Sequence, residues 1–446
     1  MSKLLQFANF QELINWSVKT NLSSLIESKY KVVTLGNHII EQKDKVKPFD
    51  FPEDDFKILG VSNKVGLFDN EIKKGKEINQ AYKIVKDGYL AYNPYRINVG
   101  SIGIKTEEHK YDLISPAYVV FSCKATLLPE FLFLIFKTQT FNTIINESTR
   151  GSVRQILAFD ILETLKIPLP TIAEQKEIVN KYNEKLNLAK KQGIEASQKE
   201  SDIEKYLFSE LNFEVKNSDN ENNLLQFVKF KNISRWDTQS NYFNPDNLKS
   251  NYKFARISEL IKYSQYGLSE KADLNSTTIP FLRMNNIQNG ELNIDDLKYI
   301  SLSEKQKENY LLDYGDILFN RTNSKELVGK SAVFKLEQIY SFASYLIRLK
   351  LNNELVNNDY FVILLNSSIG RMQIDATSRQ ITGQVNINVE ELKSFLLPLP
   401  SVEIQEKIVR NIEIIKNEIK DLRDKALSNK QNALNDFESE IFNETE

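Results

Sequence analysis

The sequence predicts an α+β chain built from two tandem copies of one unit. Each copy is a mixed α/β domain followed by a long helix, and the two helices are expected to pair as an antiparallel coiled coil with internal pseudo-two-fold symmetry. Three observations predict this. "LLQFANFQELINW" from Leu4 and "LLQFVKFKNISRW" from Leu224 stand 220 positions apart, share Leu-Leu-Gln-Phe, and put the chain's two tryptophans, Trp16 and Trp236, in the same place. The same succession of short apolar stretches then runs through both halves. Each half also ends in a Pro-x-Pro element followed by a long polar stretch with apolar residues at helical spacing. A repeat period this long marks duplicated domains and not a solenoid.

Composition is consistent with this and excludes several classes. With 446 residues the chain has room for about three domains of ~150 residues with sizeable cores. Hydrophobic residues at 41% and charged residues at 26% are ordinary for a globular protein. A net charge of −2 excludes a uniformly basic coat for nucleic acid, although local basic surfaces fit within a neutral total. The single cysteine, Cys123, has no partner for an intramolecular disulfide, which suits a reducing compartment. No basic segment followed by an apolar run opens the sequence, and "FLFLIF" from Phe131 is far shorter than a membrane span. A cytoplasmic protein without membrane contact is the expectation.

The elements repeat in order. "YKVVTLGNHI" from Tyr30 and "YKFARISELI" from Tyr252 each read as a strand entering a short helix. "ILGVSN" from Ile58 and "FLRMNN" from Phe281 alternate like strands that end in polar turns. "KDGYLAYN" from Lys86 and "DYGDILFN" from Asp313 each give a turn glycine, Gly88 or Gly315, then an apolar strand and an asparagine. "SPAYVVF" and "FASYLIR" set Tyr118 against Tyr345. "IPLPTIAEQKEIV" from Ile167 matches "LPLPSVEIQEKIV" from Leu397 at an offset of 230, and the drift from 220 is what small loop insertions produce.

After each Pro-x-Pro element, Thr171 or Ser401 is a suitable N-cap; Glu174 completes a capping box in the first copy, where the second has Ile404. In the second helix Ile404, Ile408, Ile412, Ile415, Ile419, Leu422 and Ala426 step by three or four, with Ala433 and Ile441 in phase, which is a coiled-coil seam. The first helix has the patchier stripe Ile178, Tyr182, Ala189, Ala196, Ile203 and Leu207, while its charge runs read as a solvated surface. The predicted organisation is a first domain over 1–168, its helix over 169–212, a polar joint over 213–223, a second domain over 224–398 and its helix over 399–446. Antiparallel pairing would place the domains at opposite ends of a rod of about 57 Å, taking about 38 residues at 1.5 Å each.

In these features the chain resembles the specificity subunits of type I restriction-modification systems. The resemblance rests on "GDIL" at Gly315 to Leu318, degenerate as "GYLA" at Gly88, and on the Pro-Leu-Pro elements with a nearby glutamine (Pro168 to Gln175, Pro398 to Gln405) and the helix after each. "RWD" at Arg235 also looks like the opening of a target-recognition domain in that family, although the first copy departs from it with "NWS" at Asn15. The resemblance covers almost the whole chain. It implies a non-catalytic DNA-reading subunit in phage defence, whose two target-recognition domains each read one half of a split duplex target. It further implies docking of two methyltransferase subunits along the helices, and a nuclease/translocase subunit that can join. This chain would bind no cofactor itself: S-adenosylmethionine belongs to the partner methyltransferase, and ATP and Mg to the nuclease subunit where one exists.

Loops between strands are the places for DNA contacts, because arginine can grip guanine, and asparagine adenine, through two hydrogen bonds. The candidates in the second domain are Arg283, Asn285 and Asn286, then Asn320, Arg321, Asn323, Ser324 and Lys325 in "FNRTNSK". In the first they are Asn93, Tyr95, Arg96 and Asn98 of "NPYRINVG". A further pair of stretches precedes the Pro-x-Pro elements, with Arg150, Ser152, Arg154 and Gln155 in one and Arg379, Gln380, Thr382, Gln384 and Asn386 in the other; these suit phosphate contacts. Polar turns with nothing bound are the plain alternative for any one of these residues. Partner docking is assigned to Ile178, Tyr182, Ile408, Ile412, Ile415 and Ile419, and Trp16 and Trp236 read as core anchors.

Catalytic signals are weak. "NPYR" lacks the second proline of an adenine methyltransferase loop, and Asp55 with Glu71 and Lys73 matches a nuclease pattern only loosely and in one copy. His38 and His109 have no ligand cluster around them in sequence, and no P-loop is present. The rival function is a non-catalytic coiled-coil adaptor that holds two protein ligands at fixed spacing, favoured by the near-neutral charge.

Overall fold

The computed structural model describes residues 26–148, 156–215, 247–274, 278–377 and 384–442, with the backbone of 379–381. Trp16, Trp236, the opening words of both copies, the "NWS" and "RWD" triplets and most of the joint over 213–223 lie outside the described residues.

The linear partition expected from the sequence is redrawn by the tertiary contacts. One compact unit comprises Met1–Ile194 together with Leu422–Glu446, and the other Glu195–Asp421. The long helices run over Ile172–Leu211 and Val402–Ile441, so each unit contains the start of its own helix and the end of the other copy's helix. The physical reason is the seam. Neither helix can cover its apolar stripe alone, and each finds cover against a segment of opposite direction within each unit.

In the first unit, the strands Val32–Thr34 and Lys166–Pro168 pair antiparallel and close the domain beside the Pro-x-Pro element. A four-stranded antiparallel sheet follows the spatial order Ile39–Glu41, Val119–Cys123, Leu90–Tyr92, Ile102–Ile104. A five-stranded sheet carries the hairpin Asp55–Ser62 and Gly66–Lys74, with Leu113–Ile114 parallel to the first of these. Short helices Pro129–Ile135, Gln139–Ser148 and Phe159–Thr164 cover the four-stranded sheet, and their faces merge into one core with Phe121, Phe131, Phe136 and Phe141. Phe437 and Ile441 of the second long helix belong to that same core, Phe437 meeting the rings of Phe131 and Tyr182 edge-on.

The second unit repeats the closing strand pair and the four-stranded sheet, while a three-stranded sheet, Lys298–Ile300, Ile279–Leu282, Ser341–Phe342, stands where the first unit has five strands. Phe254–Arg256 pairs with Leu396–Pro398. The four-stranded sheet has the order Ile261–Tyr266, Leu346–Leu351, Ile317–Asn320, Ser331–Val333. Ile279–Leu282 again has a parallel partner, Ser341–Phe342. Leu207 and Leu211 of the first long helix enter this core beside Ile408 and Ile412 of the second. The turn glycines match in backbone as well, since Gly88 at φ 79° and Gly315 at φ 90° both adopt the left-handed conformation that favours glycine.

Within each unit the helix segments run antiparallel. Tyr182 meets Phe437 and Gln192 meets Asn429 in one, while Lys199 pairs with Glu418 and Tyr206 with Asn411 in the other. The capping box expected at Thr171 is present, its backbone N–H donating to Glu174 at 2.8 Å. That bond and the Thr171 hydroxyl hold the Glu174 carboxyl below its ordinary range. Cys123 sits in a central strand, where burial pushes its thiol up to about 12. Among the described residues no helix is long and apolar enough to cross a membrane.

Candidate nucleic-acid interface

Each domain is clamped to the helix pair by the same two devices. The buried Gln175 side chain accepts from Leu128 N at 2.8 Å and donates to Thr126 O and Pro170 O at 3.1 and 2.9 Å. Gln405 accepts from Asn357 N at 2.8 Å and donates to Leu355 O and Pro400 O at 3.0 and 2.9 Å. The glutamine beside each Pro-x-Pro element therefore fixes the helix start to the loop that precedes the covering helices. At the other helix end, the Ser28 hydroxyl donates to Ile441 O and the Ser250 hydroxyl to Leu211 O, both at 2.6 Å. Each serine thus satisfies a carbonyl that a helix C-terminus leaves open. No motif search singles out these serines, although each stands two residues before the matched Tyr30 or Tyr252; their bonds are visible only in the folded chain.

On this framework the structure brings two of the sequence-predicted stretches together. In the second unit Thr322–Asn323 pairs with Gln384–Asn386, which pairs in turn with Arg379–Ile381. "FNRTNSK" and the glycine-containing stretch before the Pro-x-Pro element are thus neighbours in one small sheet. Ile387 N donates to Arg321 O at 2.9 Å. The first unit has the matching bond from Leu157 N to Pro94 O at 3.0 Å, so the "NPYRINVG" loop also lies beside the stretch before its own Pro-x-Pro element.

Side chain by side chain, the candidates divide. Tyr95 and Arg96 are exposed, and Asn98 is half-buried. Asn93 caps its own turn, its Oδ1 accepting from Tyr95 N at 3.0 Å. Lys325, Asn285 and Gln384 are exposed. Asn323 accepts from Ser324 N at 2.9 Å, and Asn386 accepts from the Thr322 hydroxyl at 2.8 Å, which fixes the small sheet. Arg321 is half-buried, with its guanidinium over the Tyr266 ring at 4.6 Å from the centroid. Arg150, Ser152, Arg154, Gln155 and Thr382, and the side chains of Arg379 and Gln380, lie outside the described residues.

Three expectations are corrected. Asn286 is buried and donates to Asn293 O and Asp296 O, so it knots its own turn and offers nothing to a ligand. Asn320 is fully buried and donates to Leu327 O. Arg283 is tied to Asp296 at 3.0 Å. The residue type was suitable in each case, but Asn286 and Asn320 turn inward and Arg283 is taken by a neighbouring carboxylate at the surface.

The docking residues need a similar correction. Ile178, Ile408, Ile412 and Ile419 are buried in the chain's own cores, because the seam they form is satisfied within the chain. Ile415 is half-buried. Tyr182 lines an open groove of about 750 Å³ in the first unit with Ile178, Leu188 and Phe437. The apolar side chains that the long helices leave exposed are Leu188, Ile194, Ile414 and Leu427. They lie off the heptad-like stripe, which is why a search for periodicity passes over them.

The rejected catalytic pattern dissolves as well. Asp55 pairs with Lys74 at 2.9 Å and Glu71 with Lys73 at 2.8 Å, as surface ion pairs of a hairpin.

Comparison with known proteins fits this geometry. Residues 60–196 and 249–429 match the family described as type I restriction modification DNA specificity domain, one match per copy and together well over half of the chain. Among relatives, the EcoKI specificity subunit of a type I restriction enzyme from Escherichia coli K12 is 25% identical over 277 residues, covering 61% of this chain and 55% of the relative. The StySPI specificity subunit from Salmonella potsdam is 29% identical over 159 residues, covering 35% of this chain and 34% of the relative. The matched stretches thus span about half, or less, of these curated relatives. Two solved structures share the fold. One comes from a study of complex assembly and conformational transition of the type I R-M system, with a TM-score of 0.62 and 15% identity over 94% of this chain and 99% of that chain. The other is the HsdS subunit from Thermoanaerobacter tengcongensis, with a TM-score of 0.51 and 14% identity over 93% of this chain and 97% of that one. With one family match in each copy of a duplicated fold, the chain belongs to the type I restriction-modification DNA specificity family.

Proposed function

We propose that this chain is the non-catalytic specificity subunit of a type I restriction-modification complex, reading a two-part duplex DNA target with one half-site per α/β unit. The observation that carries the reading is the contrast between identical clamps and unlike loops. Gln175 and Gln405, and Ser28 and Ser250, repeat bond for bond, whereas the surface loops between them differ in sequence and charge. A duplicated scaffold with divergent loops suits two half-sites of different sequence, as a dimeric binder suits two like ones.

Methyltransferase subunits dock, in this reading, on the exposed faces of the two 40-residue helices, where Leu188, Ile194, Ile414 and Leu427 stand free of the core. Two such subunits bring S-adenosylmethionine, and a nuclease/translocase subunit, where one assembles, brings ATP and Mg. The complex works on DNA in the cytoplasm.

The test is co-expression with the methyltransferase encoded beside it and mapping of methylated adenines across the host genome. Methylation confined to one split motif, and lost when this chain is deleted, is the expected result; methylation unchanged by the deletion overturns the reading. Salt dependence separates it from the adaptor. DNA binding should weaken steeply with salt through counterion release, whereas an apolar protein contact should not. Leu188→Asp with Leu427→Asp should abolish co-purification of the methyltransferase while leaving the melting temperature unchanged.

A further inference from the structure

We propose that Arg321 reads a guanine in the half-site of the second unit, and that Tyr266 positions it to do so. The inference rests on the DNA-reading function proposed above and deepens it to one residue and one base.

Arg321 is held at both backbone ends. Its N–H donates to Tyr345 O and its carbonyl accepts from Ile387 N, each at 2.9 Å. Strand pairing places Tyr266, Ile347 and Phe319 in one cross-strand row, and Arg321 follows Phe319 by two residues, so the arginine and Tyr266 emerge on one face at the rim of the buried core. The guanidinium lies over the Tyr266 ring, and the Tyr266 hydroxyl accepts from Val389 N at 3.1 Å, which anchors the ring. The Arg321 Nε is shielded from solvent without a hydrogen-bond partner, and among the described residues no carboxylate pairs with the group. Tyr345, whose carbonyl holds the Arg321 backbone, is 48% exposed.

A cation that is stacked, unpaired with acid and fixed at its base has little rotamer freedom left to lose on binding. Its remaining donors keep the planar fork that matches O6 and N7 of guanine in the major groove. A phosphate contact needs neither the stacking nor the fixed plane, and the exposed Lys325 nearby suits that task better. The first unit does not repeat the device: following the pairing of the strands, Lys43 and Pro94 occupy the places of Tyr266 and Arg321. The guanine therefore belongs to one half-site alone.

The experiment uses the full chain co-expressed with its methyltransferase, with the methylated motif read for wild type, Arg321→Ala, Arg321→Lys and Tyr266→Leu. Arg321→Ala should relax one G·C position in one half of the motif by roughly ten- to hundred-fold, leaving the other half strict. Arg321→Lys should relax the same position, because lysine keeps the charge and loses the fork, and Tyr266→Leu should relax it less. An Arg321→Ala motif that stays strict at every position overturns the proposal. So does an even fall in methylation at all sites that lysine restores, the mark of a phosphate contact. Melting temperatures check folding, and the lysine variant carries the test if the alanine variant unfolds. If the wild type methylates no split motif, the underlying reading fails first, and this inference falls with it.

Discussion

The two units share a plan and differ in how they fill it, most plainly around the turn glycines. In the second unit Asp316 is buried in an ion pair with Arg348 at 2.6 Å, and the neighbouring strand supplies the apolar Phe334. In the first unit the same three positions hold Tyr89, Val120 and Lys105, as the strand registers show. Tyr89 and Val120 pack together in an apolar cluster, and it is Lys105 that finds carboxylates, Asp87 at 3.2 Å and Asp112. The ionic and apolar positions have changed places between the copies. A buried ion pair and an apolar contact of similar volume are close in energy, so a duplicated fold can exchange them provided both partners change. The clamps cannot be exchanged so easily, because Gln175 and Gln405 each serve three backbone groups at once.

That contrast can be broken most severely at the clamps. Gln175→Leu and Gln405→Leu should each cost about 3–5 kcal/mol, since buried backbone groups are left unsatisfied. Hydrogen exchange should show the loss confined to the unit that carries the substitution. Similar penalties would confirm that the clamp is one device used twice, and an undisturbed unit would show that the bonds are dispensable.

The next largest effect concerns the exchanged pair. Asp316→Ala strands the buried Arg348 guanidinium, with only Asp313 left at 2.9 Å, and should cost about 3 kcal/mol. Installing the first unit's residues, Asp316→Tyr with Arg348→Val, should recover most of that loss, to within about 1 kcal/mol of wild type. Chemical denaturation of the three proteins checks it. A double variant no more stable than Asp316→Ala would show that the exchange depends on neighbours as well as on the pair.

Ser28→Ala and Ser250→Ala should each remove about 1 kcal/mol, with faster hydrogen exchange in the last turn of the helix each serine caps. Unequal effects would mark the two helix ends as unlike despite equal bond lengths.

The smallest effect is in acid. The bond from Lys350 holds the Asp313 carboxyl below its ordinary range, so its contribution is present at neutral pH and is lost as pH falls through the lowered folded value. Burial raises Asp316, whose contribution has the opposite sign: present in acid and lost as pH rises through its raised value. The first unit has Lys86 and Tyr89 at these positions and so carries no carboxylate there. Asp313→Asn should therefore flatten the acid side of the stability profile below pH ~4, in the second unit only. The change should stay under about 1 kcal/mol because Asp313 is largely exposed.

By itself the sequence determined the duplication, the order of strands and helices, the capping box at Thr171 and the pairing of Gly88 with Gly315. Those features are local or repeated, and periodicity, turn chemistry and self-comparison read them directly. It also singled out the loops of the candidate interface, because arginine and asparagine at strand ends are visible in one dimension. Tertiary structure alone decided which of those side chains face outward. Asn286 and Asn320 turned inward to satisfy backbone carbonyls, Arg283 went to Asp296, and Arg321 found an aromatic brace 55 positions earlier in the chain. It likewise decided that Ile408 and Ile412 close the chain's own seam, and that each unit borrows the end of the other copy's helix. The physical reason is common to all of these. Apolar spacing tells which face of an element is buried but not against what, and a polar side chain's role is set by the nearest unsatisfied group, which long-range packing supplies.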